Sequence, residues 1–143
     1  MRITLPEHAA RLEDQLCFAL YSASSRLTAI YRPILDPLGL TYPQFVTMMA
    51  LWEVDGVSIT DLASRTGLSK ATMTPLLKKL ESKSLVKMMK VSSDDRQKCV
   101  TLTDIGRDLA AESTSATEDA FCATGLTRKQ AKSMIGLCHK IGT

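Results

Sequence analysis

Residues 58–102 constrain this chain more than any other stretch. Val57-Ser58-Ile59 suits a short strand, and Thr60 can cap a helix that runs to about Thr66 and stops at Gly67. Ser69 is the next cap candidate. In the helix that follows, Met73, Leu76, Leu77 and Leu80 form a narrow apolar stripe. At about 100° per residue, Ala71, Thr74, Pro75, Lys78 and Lys79 fall on the opposite side, with Thr72 at its edge. Residues 85–91 and 98–102 then read as strands flanking the polar tip Ser92-Ser93-Asp94-Asp95-Arg96-Gln97. Helix, turn, basic helix and charged hairpin, in that order, describe a winged helix-turn-helix. Its second helix carries the small, hydroxylated, basic face that a DNA major groove accepts.

Charge distribution supports this reading better than net charge, which is only +3. Arg65, Lys70, Lys78, Lys79, Lys83, Lys87, Lys90, Arg96 and Lys98 face three acids (Glu81, Asp94 and Asp95) within the same segment, while the remainder of the chain is net acidic. A basic segment on an acidic body is the footprint of a phosphate-contacting surface. At 143 residues and 45% apolar content the chain is expected to form one domain with its own core. No apolar run approaches the roughly 18–20 residues that cross a bilayer, and the N-terminus lacks a secretory layout, so no membrane partner and a cytoplasmic location are expected. Cys17, Cys99, Cys122 and Cys138 include no CxxC pair, and His8 and His139 complete no ligand set. No metal site or cofactor is expected.

Outside this segment the pattern is helical. Leu12, Leu16, Leu20, Ala23, Leu27 and Ile30 recur at three- and four-residue steps, predicting a long amphipathic helix over 8–30 that Pro33, Pro37 and Gly39 bend or close. A second helix opens at Thr41-Tyr42-Pro43, with proline in its first turn, and ends at Asp55-Gly56. Thr103 caps a long helix to about Phe121, residues 122–125 interrupt it, and Thr127 with Gln130 forms a capping box for a last helix to about His139. The expected fold is therefore mainly α with a small β wing. Residues 41–102 form the DNA-binding unit, and helices in 7–40 and 103–143 pack across a twofold homodimer. Pro75 conflicts with local rules, because an interior proline costs about 3 kcal/mol relative to alanine. Those rules leave open a late helix start at Thr74 or a bent first turn.

This layout resembles the MarR family of bacterial transcription regulators over nearly the whole chain. Three segments are similar to its organic-hydroperoxide resistance (OhrR) branch: Leu12-Glu13-Asp14-Gln15-Leu16-Cys17-Phe18-Ala19-Leu20-Tyr21, Tyr31-Arg32-Pro33-Ile34-Leu35-Asp36-Pro37-Leu38-Gly39-Leu40-Thr41-Tyr42-Pro43-Gln44, and Thr72-Met73-Thr74-Pro75-Leu76-Leu77-Lys78-Lys79-Leu80-Glu81. The resemblance favours a continuous recognition helix from about Lys70. It implies that Cys17 is a peroxide-sensing thiol and that Tyr31 and Tyr42, from the partner's or its own helices, point hydroxyls at the sulfur. The chemistry is consistent: a thiolate needs donors, and tyrosine supplies them without a formal charge. Read from residues alone, Cys17 is more readily a buried core thiol than a sensor. The resemblance further implies that Cys122 resolves the oxidised Cys17 in a disulfide across the dimer, with Cys138 a competitor and Cys99 a passive wing residue.

On the DNA side the resemblance assigns Ala71, Thr72, Thr74 and Pro75 to the groove, with Lys78 and Lys79 nearer the phosphates. Arg96 would enter the minor groove, held by Asp95. Lys98, Lys87 and Lys90 would be backbone contacts. Ser69-Lys70 departs from the branch, so operator sequence transfers less well than mechanism. The implied function is a non-enzymatic repressor that binds a near-palindromic double-stranded operator and leaves it when an organic hydroperoxide oxidises Cys17. Three rivals remain. One is induction by a small anionic or phenolic ligand with a structural Cys17, another a thiol peroxidase, and the third a winged helix that binds only protein.

Overall fold

The computed structural model describes residues 6–91 and 97–143. Seven α-helices and a three-stranded sheet are found among them: α1 Leu16–Leu35, α2 Tyr42–Glu53, β1 Val57–Ser58, α3 Ile59–Thr66, α4 Lys70–Ser82, β2 Val86–Lys90, β3 Lys98–Leu102, α5 Asp104–Asp108, α6 Ala110–Ala123 and α7 Arg128–Lys140. The sheet is antiparallel in the order β1-β3-β2. Val57 stands opposite Val100, and the hairpin runs from Val86–Leu102 to Lys90–Lys98. This is the mainly helical, winged architecture that the sequence predicts.

Local chemistry explains most boundaries. Thr41 and Gln44 form a reciprocal capping box that starts α2, Ser69 caps α4 through the Thr72 amide, and Thr127 with Gln130 starts α7. Gly67 ends α3 at φ 72, a left-handed turn that glycine adopts without steric cost. The cap of α3 is Ser58 and not Thr60: Ser58 is extended, at φ −68 and ψ 157, which lets its oxygen accept from Asp61 N–H. The single helix expected from Thr103 to Phe121 divides at Leu109 into α5 and α6. Helix α4 runs unbroken from Lys70 through Pro75, so it does not start late at Thr74. Met73, Leu76, Leu77 and Leu80 are all buried. At about 1.5–3 kcal/mol per buried side chain they outweigh the proline penalty of about 3 kcal/mol.

The largest correction concerns the first helix. It begins at Leu16 and not near residue 8, preceded by a 3-10 turn at Leu12–Asp14, and continues past Pro33 to Leu35. Its buried residues are Tyr31 and Leu35 only, while Leu12 and Leu16 of the predicted stripe are 62% and 68% exposed. Nothing among the described residues covers the stripe's first half, so the turn before Leu16 gains no burial from becoming α-helical.

The core lies between α2, α4 and the sheet, around Phe45, Met48, Leu51, Leu62, Met73, Leu77, Val86 and Val100. Two polar ties fasten the later helices to it. Trp52 Nε1 donates to the Gly106 carbonyl at 2.9 Å, and Asp55 Oδ1 accepts from the Leu102 amide at 2.9 Å while Oδ2 faces Arg107 at 3.4 Å. Together they fix the wing base against α2 and α5.

Candidate functional site

The proposed DNA face is assembled from α4 and the wing. Lys70, Ala71, Thr72, Pro75, Lys78 and Lys79 are exposed and Thr74 is half-buried, so the predicted polar side of α4 faces outward. Two hydroxyls there already serve the helix. Ser69 Oγ donates to Thr72 Oγ1 at 2.9 Å, and Thr74 Oγ1 donates to the Lys70 carbonyl at 3.1 Å. Their remaining lone pairs leave them available as acceptors. Lys70 and Thr74 of α4, Ser58 and Ile59, and Gln97, Lys98 and Cys99 of the wing together line a groove of about 890 Å³. Lys87 and Lys90 are exposed on β2. Cys99, read from sequence as a passive wing residue, lines this groove. Asp95 and Arg96 lie outside the described residues.

The second candidate site is built around tyrosines. Tyr31, in the last third of α1, meets Tyr42, the first residue of α2, with ring centroids 5.0 Å apart; Phe45 continues the stack at 5.8 Å from Tyr31. Tyr31 is only 9% exposed, and its hydroxyl makes no hydrogen bond among the described residues. Burial, and then the charge that Tyr42 would carry, push its ionisation above the ordinary 10.0, so at neutral pH it is a proton donor. Both rings line an apolar groove of about 470 Å³ between α1, α2, α6 and α7. Leu27, Phe121, Met134 and Ile135 supply its walls, and Cys138 stands among them. This cavity was not legible in the sequence, because its lining comes from four helices far apart in the chain.

The cysteines are distributed differently from the tyrosines. All four are free, with Cys17, Cys122 and Cys138 exposed. Cys17 and Tyr31 share α1. Fourteen residues at 1.5 Å each separate them by about 21 Å, so one chain cannot bring this thiol to its own Tyr31. Cys122 sits near the end of α6, with its sulfur 4.0 Å from Glu118 Oε1, and does not line the tyrosine groove, although its neighbour Phe121 does. Exposed apolar side chains cluster on the terminal helices: Leu16 and Tyr21 on α1, Ile135 and Leu137 on α7, and α7 buries no residue at all. Among the described residues no group of three or more His, Cys, Asp or Glu is arranged to hold a metal ion, and no helix is long and apolar enough to cross a membrane.

Both the winged architecture and its position in the chain agree with comparison to known proteins. Residues 40–98 match the MarR family. The chain is 36% identical to the transcriptional regulator TtmR of Methylorubrum extorquens over 87% of its own length and 64% of that protein's. It is also 36% identical to the organic hydroperoxide resistance transcriptional regulator of Bacillus subtilis, over 67% of the chain and 65% of that protein. It thus spans slightly under two thirds of these two relatives. To MgrA of Staphylococcus aureus it is 30% identical, over 91% of the chain and 89% of that protein. The chain belongs to the MarR family, and its sequence is consistent with the organic-hydroperoxide branch.

Solved structures agree. The structure of reduced AbfR bound to DNA superposes with a TM-score of 0.75 at 31% identity, covering 91% of this chain and 90% of that one. The disulfide-formed AbfR gives 0.65 at 30% identity over 92% and 87%. The Mycobacterium tuberculosis MarR family protein Rv2887, in complex with salicylic acid, gives 0.66 at 30% identity, over 90% of this chain and 96% of that one.

Proposed function

We infer that this chain is a DNA-binding transcriptional repressor that acts as a homodimer and is switched by oxidation of Cys17. The observation that carries the reading is the tyrosine pair. Tyr31, largely buried, lines an apolar groove beside Tyr42 with its hydroxyl free of hydrogen bonds among the described residues, while the exposed Cys17 lies about 21 Å away along the same helix. Donors and thiol therefore meet only between two copies of the chain. The uncovered apolar faces of α1 and α7 supply the surface for that pairing. The dimer would bring two α4 helices to successive major grooves of a near-palindromic operator, about one helical turn apart. Ala71, Thr72, Thr74 and Pro75 would lie toward the bases. Lys70, Lys78, Lys79, Lys87, Lys90 and Lys98 would lie toward the phosphates, with Arg96 and Asp95 at the minor groove.

In the sensing step the Cys17 thiolate attacks the terminal oxygen of an organic hydroperoxide. An S–O bond forms, the O–O bond breaks, and the alkoxide leaves as alcohol after taking a proton. Tyr31 and Tyr42 stabilise the thiolate beforehand by donation, and the apolar walls favour an alkyl peroxide. The Cys122 thiolate of the other subunit then attacks the sulfenic sulfur, an S–S bond forms, and the displaced hydroxide leaves as water. Pulling α1 toward α6 of the second chain would alter the spacing of the two recognition helices. A hundredfold loss of affinity requires only about 2.7 kcal/mol of preference against DNA. The relatives support the reading: one is an organic hydroperoxide regulator, and AbfR has both a reduced DNA-bound and a disulfide-formed structure, of which this chain is more similar to the first.

The groove also favours a second reading. About 470 Å³ lined by two tyrosines and apolar side chains would suit a small phenolic or anionic ligand, as salicylic acid is held by Rv2887. One experiment separates the two. Operator binding is measured for wild type, Cys17→Ser and Cys122→Ser, reduced and after stoichiometric organic hydroperoxide, with non-reducing gels. Release of wild type but not Cys17→Ser, with a Cys122-dependent dimer band, is expected. Release of Cys17→Ser by the hydroperoxide would end the sensor reading and leave the ligand reading.

A further inference from the structure

Lys83 is the C-cap of α4 and is exposed, yet its ammonium has partners within the protein. It turns back to the start of α2, where Nζ donates to the Gly39 carbonyl and, at 2.9 Å, to Gln44 Oε1. Gln44 is 4% exposed. Its Oε1 also accepts from the Thr41 amide at 3.1 Å, and its own amide donates to Thr41 Oγ1 at 3.3 Å. Lys83 thus completes the capping box that holds the first turn of α2. The first residue of that turn is Tyr42, stacked 5.0 Å from Tyr31. Among the described residues no carboxylate pairs with Lys83, and its two bonds are the only hydrogen bonds joining α4 or its cap to residues 36–44. A charged donor on two carbonyl acceptors makes stronger and more directional bonds than neutral partners do.

We propose that Lys83 is the positioning residue that couples the tyrosine groove to the recognition helix. It holds the C-terminal end of α4 in its DNA-competent place while residues 39–44 keep the geometry seen here. The inference rests on the thiol-sensor reading and supplies the link that reading lacks. When oxidation of Cys17 draws Tyr31 and Tyr42 out of register, the Gly39 carbonyl and Gln44 Oε1 move off Nζ, and α4 loses its polar tie.

The test uses the full chain as wild type, Lys83→Met and Lys83→Arg. DNA from the upstream region is titrated with reduced protein and with protein treated with one equivalent of cumene hydroperoxide, and Cys17 oxidation is followed by intact mass. Wild type is expected to lose about 100-fold in affinity on oxidation, and Lys83→Met to lose less than about 10-fold at an unchanged rate of Cys17 oxidation. Lys83→Arg, with two donors on one planar fork, restores the wild-type ratio. In reduced Lys83→Met, amide exchange rises together at residues 41–45 and 82–85. The salt slope of DNA binding stays at the wild-type value, because this ammonium bonds two carbonyl oxygens of the protein and not a phosphate.

A wild-type affinity ratio in Lys83→Met overturns the proposal, and so does a salt slope smaller by about one. If wild type keeps its DNA after Cys17 is oxidised, the sensor reading falls and takes the coupling with it. That outcome is distinct from a releasing wild type whose ratio Lys83→Met preserves.

Discussion

Gly106→Ala is the substitution whose cost the structure defines most sharply. A Cβ at Gly106 would stand 2.1 Å from the Leu85 carbonyl oxygen, 3.1 Å from its carbon and 3.4 Å from its Cα. All three are backbone atoms, so no rotamer change relieves the clash. Restoring contact distance requires about 1 Å of separation between α5 and the start of β2. That movement acts on three hydrogen bonds at once. The Leu85 carbonyl accepts from Thr103 N–H at 3.1 Å, Trp52 Nε1 reaches the Gly106 carbonyl at 2.9 Å, and the Gly106 amide donates to Thr103 Oγ1 at 3.0 Å. Overpacking of about 1–3 kcal/mol, with two of these bonds weakened at about 1 kcal/mol each, gives a loss of about 3–5 kcal/mol. That is a large part of the roughly 5–15 kcal/mol that holds a domain folded. Urea unfolding of the reduced protein at fixed chain concentration is the assay. With a slope of about 2 kcal/mol/M, the midpoint should fall by roughly 2 M. Gly136→Ala is the internal comparison: this exposed glycine lies inside α7, meets nothing within 4 Å, and should gain about 0.5–1 kcal/mol. A Gly106→Ala midpoint within about 0.5 M of wild type would refute the reasoning.

Three further outcomes are expected. Ser84 holds φ 60 without being glycine, so Ser84→Gly should stabilise the chain by about 1 kcal/mol, read as a higher urea midpoint. In an alkaline absorbance titration Tyr31 should ionise above the ordinary 10.0, and Tyr31→Phe should remove that high-pH step. Because its folded-state value is raised above the ordinary 10.0, its contribution to stability is intact below pH 10.0 and is lost as pH rises through the folded-state value. Lys78→Ala or Lys79→Ala should each lower the slope of log affinity against log salt by about 0.9 while weakening all DNA sequences alike, checked by binding titrations at several salt concentrations.

Much of this fold was legible because its signals act within one turn of chain. The caps at Ser69 and Thr127, the stop at Gly67, the wing strands and the buried stripe of α4 all follow from side chains interacting with backbone three or four residues away. Misreadings arose where a competitor was equally local or where packing intervened. Ser58 displaced Thr60 as a cap because its backbone was already extended by pairing with β3. Pro75 stayed inside α4 because four buried side chains outweighed its missing N–H.

The candidate sites divide the same way. Which side of α4 faces outward, and the candidacy of Cys17, Tyr31 and Tyr42, were readable from pattern and resemblance. Their relations were not. That Tyr31 stacks on Tyr42, that Cys138 shares their groove while Cys122 does not, and that Lys83 reaches Gly39 and Gln44 depend on how distant helices pack. The sequence by itself determined which segments form helices and strands and which faces are apolar or basic, since periodicity, caps and charge are local properties. Tertiary structure alone decided which apolar faces find cover within one chain. It left those of α1 and α7 open, because burial is settled by residues brought together across the whole length of the chain.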